Sequence, residues 1–318
     1  MQTAPIALLF LALPAFAAPD LLLFPAVGSS KRVTVYGRTL ARGQSKSSFS
    51  LKRNLKNLLN ENAEGVPVEL SFLGQTTRVT SGHDGNFEAT FDAPDGGFPA
   101  GQQPLEARCA PAVSKTATVE VASDKAPFMV ISDFDDTVAV TNVLEKKGLV
   151  KAALVEDETT QPVVPGMSSF YGCLREVKAE KPVFALVSGS PVQFEPRIRG
   201  FLSRHGFGPF GIYLRDLGPT TLSDYKQPVI RRLLQSMPHQ VVLVGDSGEH
   251  DPEVYQQIRA EFPGRVLATY IRNAGRADDE NRFKDMFLFN DPAAAARDAA
   301  TKGFAQKACV EKAFAAQP

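Results

Sequence analysis

Phe128-Met129-Val130-Ile131-Ser132-Asp133-Phe134-Asp135-Asp136-Thr137 is an apolar run that ends in a cluster of three carboxylates. An apolar run without polar alternation is what a strand needs when helices cover both faces of its sheet, as happens in parallel sheets. Val183 to Val187 and Gln240 to Val244 have the same character. Helical periodicities lie between and after them. Phe194, Ile198, Phe201 and Leu202 share one helical face that can stop at Gly206, and Ile230, Leu233, Leu234 and Met237 share another, in a helix expected to begin at Pro228. Further on, Asp291-Pro292 offers an N-cap and a first helical position ahead of an alanine-rich helix. Strands alternating with helices predict a doubly wound α/β domain with a parallel sheet, taken here as residues 126–318.

Upstream the pattern shortens. Arg32 to Tyr36, Val66 to Phe72, Thr76 to Thr80, Asn86 to Phe91, Gln103 to Cys109 and Ala117 to Val121 are β-rich runs separated by Gly, Pro and Asp. They predict a small β-sandwich-like domain over residues 18–125. Gly82 to Phe87 reads as a hairpin connection, because its turn residues tolerate positive φ. Leu51, Leu55, Leu58 and Leu59 recur at helical spacing, so one helix is expected to interrupt the strands. Residues 1–17 carry no charged side chain and end in Ala15-Phe16-Ala17, the small-x-small pattern of a signal-peptidase site. That predicts an exported protein, periplasmic or secreted. The run is too short to cross a bilayer, and no later stretch is long enough.

Composition removes several classes. The 318 residues favour two domains, and 43% hydrophobic with 22% charged residues is an ordinary globular balance. Lys plus Arg and Asp plus Glu number 35 each, so net charge gives no reason to expect nucleic acid as a partner. Cys109, Cys173 and Cys309 are too few for a disulfide scaffold, and at most one bridge can form.

The chemistry gathers at strand ends. In open α/β sheets the reacting groups lie beyond the carboxyl ends of the strands, where Asp133 and Asp135 fall. Val183 to Val187 leads into Ser188-Gly189-Ser190, whose hydroxyls and N–H groups suit phosphoryl oxygens. Lys226 offers a fixed positive charge just before the Pro228 helix. Gln240 to Val244 leads into Gly245-Asp246-Ser247-Gly248-Glu249-His250-Asp251. Converging carboxylates repel one another unless a cation joins them, and an all-oxygen donor set near phosphate suits Mg2+.

Asp133-x-Asp135-x-Thr137, then Ser188, Lys226 and Gly245-Asp246-x-x-x-x-Asp251, resemble the four ordered motifs of the haloacid dehalogenase superfamily. Within it, Ile131 to Thr137, Val187 to Pro191 and Gly245 to Tyr255 resemble the catalytic domain of the actin-patch-type phosphatidate phosphatases, over roughly Phe128 to Asn273. The resemblance implies a Rossmann-like core and a phosphoric monoester hydrolase. It implies Asp133 as nucleophile, forming an aspartyl-phosphate, and Asp135 as acid and base. It further implies Mg2+ held by Asp133, the Asp135 carbonyl and Asp246, with Asp251 reaching the ion through water or orienting its ligands, and Ser188, Gly189 and Lys226 on the phosphate. His250 and Arg272 are candidate substrate contacts, with exposed side chains the competing reading.

Between Val138 and Pro182 only a small cap fits, and an open site admits large substrates. The leading expectation is therefore a phosphatidate-type lipid, met at a membrane surface. A soluble nucleotide or sugar phosphate is the alternative, and an exported binding protein built on an inactive scaffold is the third reading. Eight basic residues between Lys31 and Lys56, among them Arg32 and Arg38, with no acidic one, would favour anionic lipid if they form a patch; scattered solvated charge is the other reading.

Overall fold

The computed structural model describes residues 19–41, 61–110, 113–141, 161–216 and 222–315. The 1–17 segment, the 51–59 helix and most of the cap expected after Val138 lie outside these residues.

The first part contains β1 (Asp20–Leu23), β2 (Ala26–Gly28), β3 (Arg32–Leu40), β4 (Pro67–Phe72), β5 (Gln75–Thr80), β6 (Asn86–Asp92), β7 (Gly101–Cys109) and β8 (Val113–Val121). Strand periodicity accounts for their inner faces: Val68, Leu70 and Phe72 on β4 and Phe87, Ala89 and Phe91 on β6 are buried, with more open residues between them. The hydrogen-bonded order is β1-β3-β2-β8-β7-β4-β5, with β6 on β3. All pairs are antiparallel except β2 with β8. The Phe72 ring lies 5.5 Å from that of Phe91 although β4 and β6 are far apart along this path, so the sheet folds over a single apolar core. The sandwich-like character is real, but the two faces belong to one continuous sheet.

The stretch from Gly82 to Phe87 is not the hairpin connection that its turn residues suggest. Gly82 to Phe87 joins β5 to β6, but these strands do not pair: β5 pairs with β4 and β6 pairs with β3. The tight turn at Leu73 and Gly74, both at positive φ, closes the β4–β5 hairpin first, and the Gly82 turn then sends the chain across to β3. Gly85 is required in that turn, because a Cβ there would stand 2.5 Å from the Thr39 carbonyl oxygen.

Among the described residues the second part has six parallel strands: β9 (Met129–Ser132), β10 (Val183–Pro191), β11 (Gly211–Arg215), β12 (Val241–Asp246), β13 (Val266–Arg272) and β14 (Phe287–Phe289). Their order is β11-β10-β9-β12-β13-β14, a doubly wound sheet whose direction of growth reverses between β9 and β12. The helices are α1 (Met167–Arg175), α2 (Glu195–Arg204), α3 (Leu222–Ser236), α4 (Asp251–Glu261), α5 (Pro292–Thr301) and α6 (Lys307–Phe314). Alternate residues of β9 explain the two layers. Phe128 and Val130 face the core formed with α1, α2, α5 and α6, whereas Met129 and Ile131 face that formed with α3 and α4. Asp291 caps α5 by accepting from the Ala293 N–H at 2.9 Å, as the Asp-Pro pair predicts. The third helix starts earlier than its proline suggested, at Leu222, so Pro228 lies inside α3 and Lys226 sits on the helix rather than before it. No helix among the described residues is long and apolar enough to cross a membrane.

The two parts share a seam. The Ile212 N–H donates to the Pro25 carbonyl at 2.8 Å, and Leu22, Phe24 and Leu40 are packed into the α/β core. Arg38 is buried there, paired with Asp216 and donating to Asn62 Oδ1 at 2.9 Å. Arg32 pairs with Asp92 at 2.5 Å. Two of the basic residues considered for a lipid-facing patch are thus already matched to acids of the chain. Cys173 and Cys309 form a disulfide joining α1 to α6, and Cys109 is free and buried in the first part.

Candidate active site

Asp133, Asp135, Ser188, Lys226, Asp246 and Asp251 come together at the carboxyl end of the parallel sheet, all of them buried. β9 runs into Asp133, whose N–H donates to the Val244 carbonyl at 2.9 Å, so the first acid is held by the backbone of β12. Beneath it, Ser132 Oγ donates to the Asp133 carbonyl at 2.6 Å and lies 2.7 Å from the hydroxyl of Tyr171 on α1. Thr137 Oγ1 is 3.4 Å from Asp133 Oδ2, in line with a loop-shaping role.

Asp135 faces the next strand. Its Oδ2 accepts from Ser190 Oγ at 2.7 Å and from Ser188 Oγ at 3.2 Å, and Ser188 Oγ itself accepts from the Ser190 N–H at 3.0 Å. A register shift in β10 after Ser188 brings Gly189 and Ser190 into the site. Asp136 has φ 51°, and its loop is fixed by a donation from the Thr141 N–H at 2.8 Å and by Arg272, whose Nη1 donates to the Asp136 carbonyl at 2.5 Å. Arg272, weighed above as a substrate contact, therefore braces the first acid loop. His250, the other such candidate, is 55% exposed and points to Glu253 Oε2 at 3.9 Å.

Lys226 is the electrostatic hub. Its Nζ lies 2.5 Å from Asp251 Oδ1, 2.9 Å from Asp133 Oδ1 and 3.5 Å from Glu249 Oε2. The contact with Asp133 is an ion pair without hydrogen-bond alignment. Gly245 permits the arrangement, since a Cβ there would stand 2.5 Å from Asp251 Oδ2. Asp251 begins α4 and its Oδ2 accepts from the Asp246 N–H at 3.3 Å.

The acids that converge as a candidate metal centre are Asp133, Asp246 and Glu249, with one carboxylate oxygen from each within 4.8 Å of the others. Glu249 thus joins the expected Asp133 and Asp246, while the Asp251 carboxylate stands beside them, engaged by Lys226 and the Asp246 amide. Glu249 stands in the motif stretch three residues after Asp246, which is the only sequence signal it had. Asp246 Oδ1 accepts from the Gly248 N–H at 2.6 Å and the Glu249 N–H at 3.2 Å, whereas its buried Oδ2 has no hydrogen-bond partner. A buried carboxylate oxygen left open beside two further acids fits a cation ligated by oxygens.

Burial raises the Asp133 carboxyl well above the usual range; Lys226 opposes the shift, and the neighbouring carboxylates of Asp251, Glu249 and Asp246 reinforce it. Burial and the same neighbours raise Asp246, and burial carries Glu249 up to about 7 against the pull of Lys226. Lys226 loses by burial, but Asp133, Asp251 and Glu249 outweigh that and hold it firmly protonated. Burial also raises Asp135, against its two serine hydrogen bonds and Lys226. Four carboxylates around one ammonium therefore leave an excess of negative charge that a cation would relieve.

The strand order, with acids at the tips of β9 and β12 beside the reversal point, makes the second part a doubly wound α/β domain whose acids lie where such sheets place reacting groups. Residues 128–273 match the family described as the catalytic domain of phosphatidate phosphatase APP1. The chain is 31% identical over 151 residues to phosphatidate phosphatase APP1 of Saccharomyces cerevisiae, covering 45% of this chain and 25% of that protein. It is 29% identical over 160 residues to an uncharacterized protein of Schizosaccharomyces pombe, covering 47% of this chain and 26% of the relative. The chain thus spans about a quarter of the length of these curated relatives. A haloacid dehalogenase-like family protein from Streptococcus pneumoniae overlaps 54% of this chain and 97% of its own at a TM-score of 0.38 and 11% identity. That overlap is loose, and the strand order carries the fold.

Proposed function

We propose that the chain is an exported Mg2+-dependent phosphomonoesterase working through an aspartyl-phosphate on Asp133, with a phosphatidate-type lipid as substrate. The observation that carries this reading is the pairing of Asp133 with Lys226 at 2.9 Å, beside an Asp246 oxygen that no group among the described residues satisfies. The match of residues 128–273 to a phosphatidate phosphatase catalytic domain supports the lipid class.

An Asp133 carboxylate oxygen attacks phosphorus and the bond from phosphorus to the ester oxygen breaks. Asp135, two residues on and held by Ser188 and Ser190, gives its proton to the departing oxygen; its raised proton affinity suits it to arrive protonated. Water then attacks the acyl phosphate, Asp135 takes the proton back, and phosphate leaves. Lys226 favours the ionised form of Asp133 against burial and offers charge to the phosphoryl oxygens, and the N–H and hydroxyl groups of Ser188 to Ser190 bind them. A Mg2+ ion held by Asp133, Asp246 and Glu249 would supply charge neutralisation between nucleophile and phosphate.

Replacement of Asp133 by Asn should lower phosphate release by at least about a thousandfold with the circular dichroism spectrum intact. Unchanged turnover would end the assignment. The assay is run on phosphatidate, lysophosphatidate, nucleotides and sugar phosphates, and a preference for the soluble esters would move the reading to that class. For export, the uncharged 1–17 segment and the Cys173–Cys309 bridge, a bond that persists in oxidising compartments, are the support. The amino terminus of protein recovered outside the cytoplasm should be Ala18, and an intact Met1 there would count against it.

A further inference from the structure

The loop from Ser247 to Glu249 links Asp246 to α4, and its peptides face two ways. The Gly248 and Glu249 N–H groups both point at Asp246 Oδ1, at 2.6 and 3.2 Å. In a trans peptide the carbonyl points opposite to the N–H it is bonded to, so the Ser247 and Gly248 carbonyls face away from the acids. Each is met there by an arginine. Arg282 Nη1 donates to the Ser247 carbonyl at 3.0 Å, and Arg276 Nη1 donates to the Gly248 carbonyl at 3.3 Å.

Arg282 is committed to this loop through every hydrogen it has. Nη1 also reaches the Arg276 carbonyl at 2.6 Å, Nη2 reaches the Glu249 carbonyl at 2.8 Å and Glu253 Oε2 at 3.2 Å, and Nε reaches Glu253 Oε1 at 2.6 Å. These are the five N–H donors of a guanidinium, three on carbonyls and two on an acid of the first turn of α4. Its side chain is 11% exposed. Both arginines lie beyond residues 128–273, and neither is within a motif that signals chemistry.

We propose that Arg282, helped by Arg276, is a positioning residue for the cation site. It fixes the two peptides whose N–H groups occupy Asp246 Oδ1, and so leaves Oδ2 as the oxygen that Asp246 offers to an ion. The inference rests on the cation reading given above. It makes no use of substrate, so it can be tested on binding alone.

The experiment is calorimetric titration of the full chain with Mg2+ in the absence of substrate, with thermal melts alongside. Arg282→Ala should weaken Mg2+ binding by about 10- to 100-fold, the usual effect of removing a group that orients a metal ligand. Arg282→Lys should recover little of the loss, because an ammonium cannot reproduce the planar fork, and it supplies the reading if the alanine variant does not fold. Arg259→Ala is the control: Arg259 donates to the Asp285 carbonyl at 2.9 Å from the same helix α4, away from the acid loop, and its loss should leave binding within about twofold. Wild-type affinity in a folded Arg282→Ala or Arg282→Lys protein, or an equal loss in Arg259→Ala, would overturn the role of Arg282 alone. Failure of the wild-type chain to bind Mg2+ would overturn the cation site itself, and the inference with it.

Discussion

The acidic centre and the seam between the two parts both bury charge, and they settle it in opposite ways. At the seam Arg38 is matched by Asp216, which Asn86 also contacts. At the centre Asp133, Asp246, Glu249 and Asp251 crowd around Lys226, and one Asp246 oxygen has no hydrogen-bond partner among the described residues. Buried charge that is matched within the chain serves stability or specificity, whereas a cluster of like buried charges left in excess points to a species to be bound. The imbalance, more than the number of charges, separates a working site from an internal joint.

The sharpest way to break this contrast is at the centre. Asp133→Asn, the change that should abolish turnover, should leave the melting temperature in Mg2+-free buffer unchanged or higher, because it removes one of several repelling carboxylates. A fall as large as that of a seam variant would erase the distinction. Arg38→Leu probes the other side: it strips Asp216 of its guanidinium and should cost about 2 kcal/mol in urea titrations while leaving kcat within about twofold. A matching collapse in kcat would make the seam part of the chemistry.

The smallest effect concerns Glu120 on β8, which burial raises to about 7 against the nearby charges of Arg175 and Lys181. The folded protein keeps this proton up to about pH 7, whereas the unfolded chain releases it near the ordinary value of 4.5. The unfolded state therefore binds fewer protons between those values, and stability should fall as pH rises from about 4.5 to 7, by on the order of 1–3 kcal/mol. Denaturant titrations at pH 5 and pH 8 should show this fall in the wild type and a smaller one in Glu120→Gln; parallel behaviour would place the titration elsewhere.

Much of this was legible in the sequence because the signals are local. The apolar runs of β9, β10 and β12 carry their own burial pattern, and each ends in the residues that meet at the site. Lys226 could be placed by motif order but not on α3, since Pro228 looked like a helix start and is in fact internal. Pairing across distance was not legible. The short strands β1 and β2 hold the seam yet have too few residues to show a period, and the Gly82 turn says that the chain reverses without saying which strand it meets. Arg282 follows Asp246 by more than thirty residues, and only the folded loop reveals that all its donors are spent on the acid segment. That Glu249 stands with Asp133 and Asp246 while Lys226 holds Asp251 at 2.5 Å could not be read from spacing.

The Cys173–Cys309 bridge has a consequence for how the chain must be made. Cys309 is the last of the three cysteines to leave the ribosome, so from the emergence of Cys173 until then the thiols at hand are Cys109 and Cys173, and their union would be a wrong one. Cys109 is only 5% exposed inside the first part. If that part folds as it emerges, in the usual amino-to-carboxyl order, it withdraws the competing thiol before the proper partner arrives. The amino-terminal sheet then serves as a chaperone of disulfide choice for the domain that follows it.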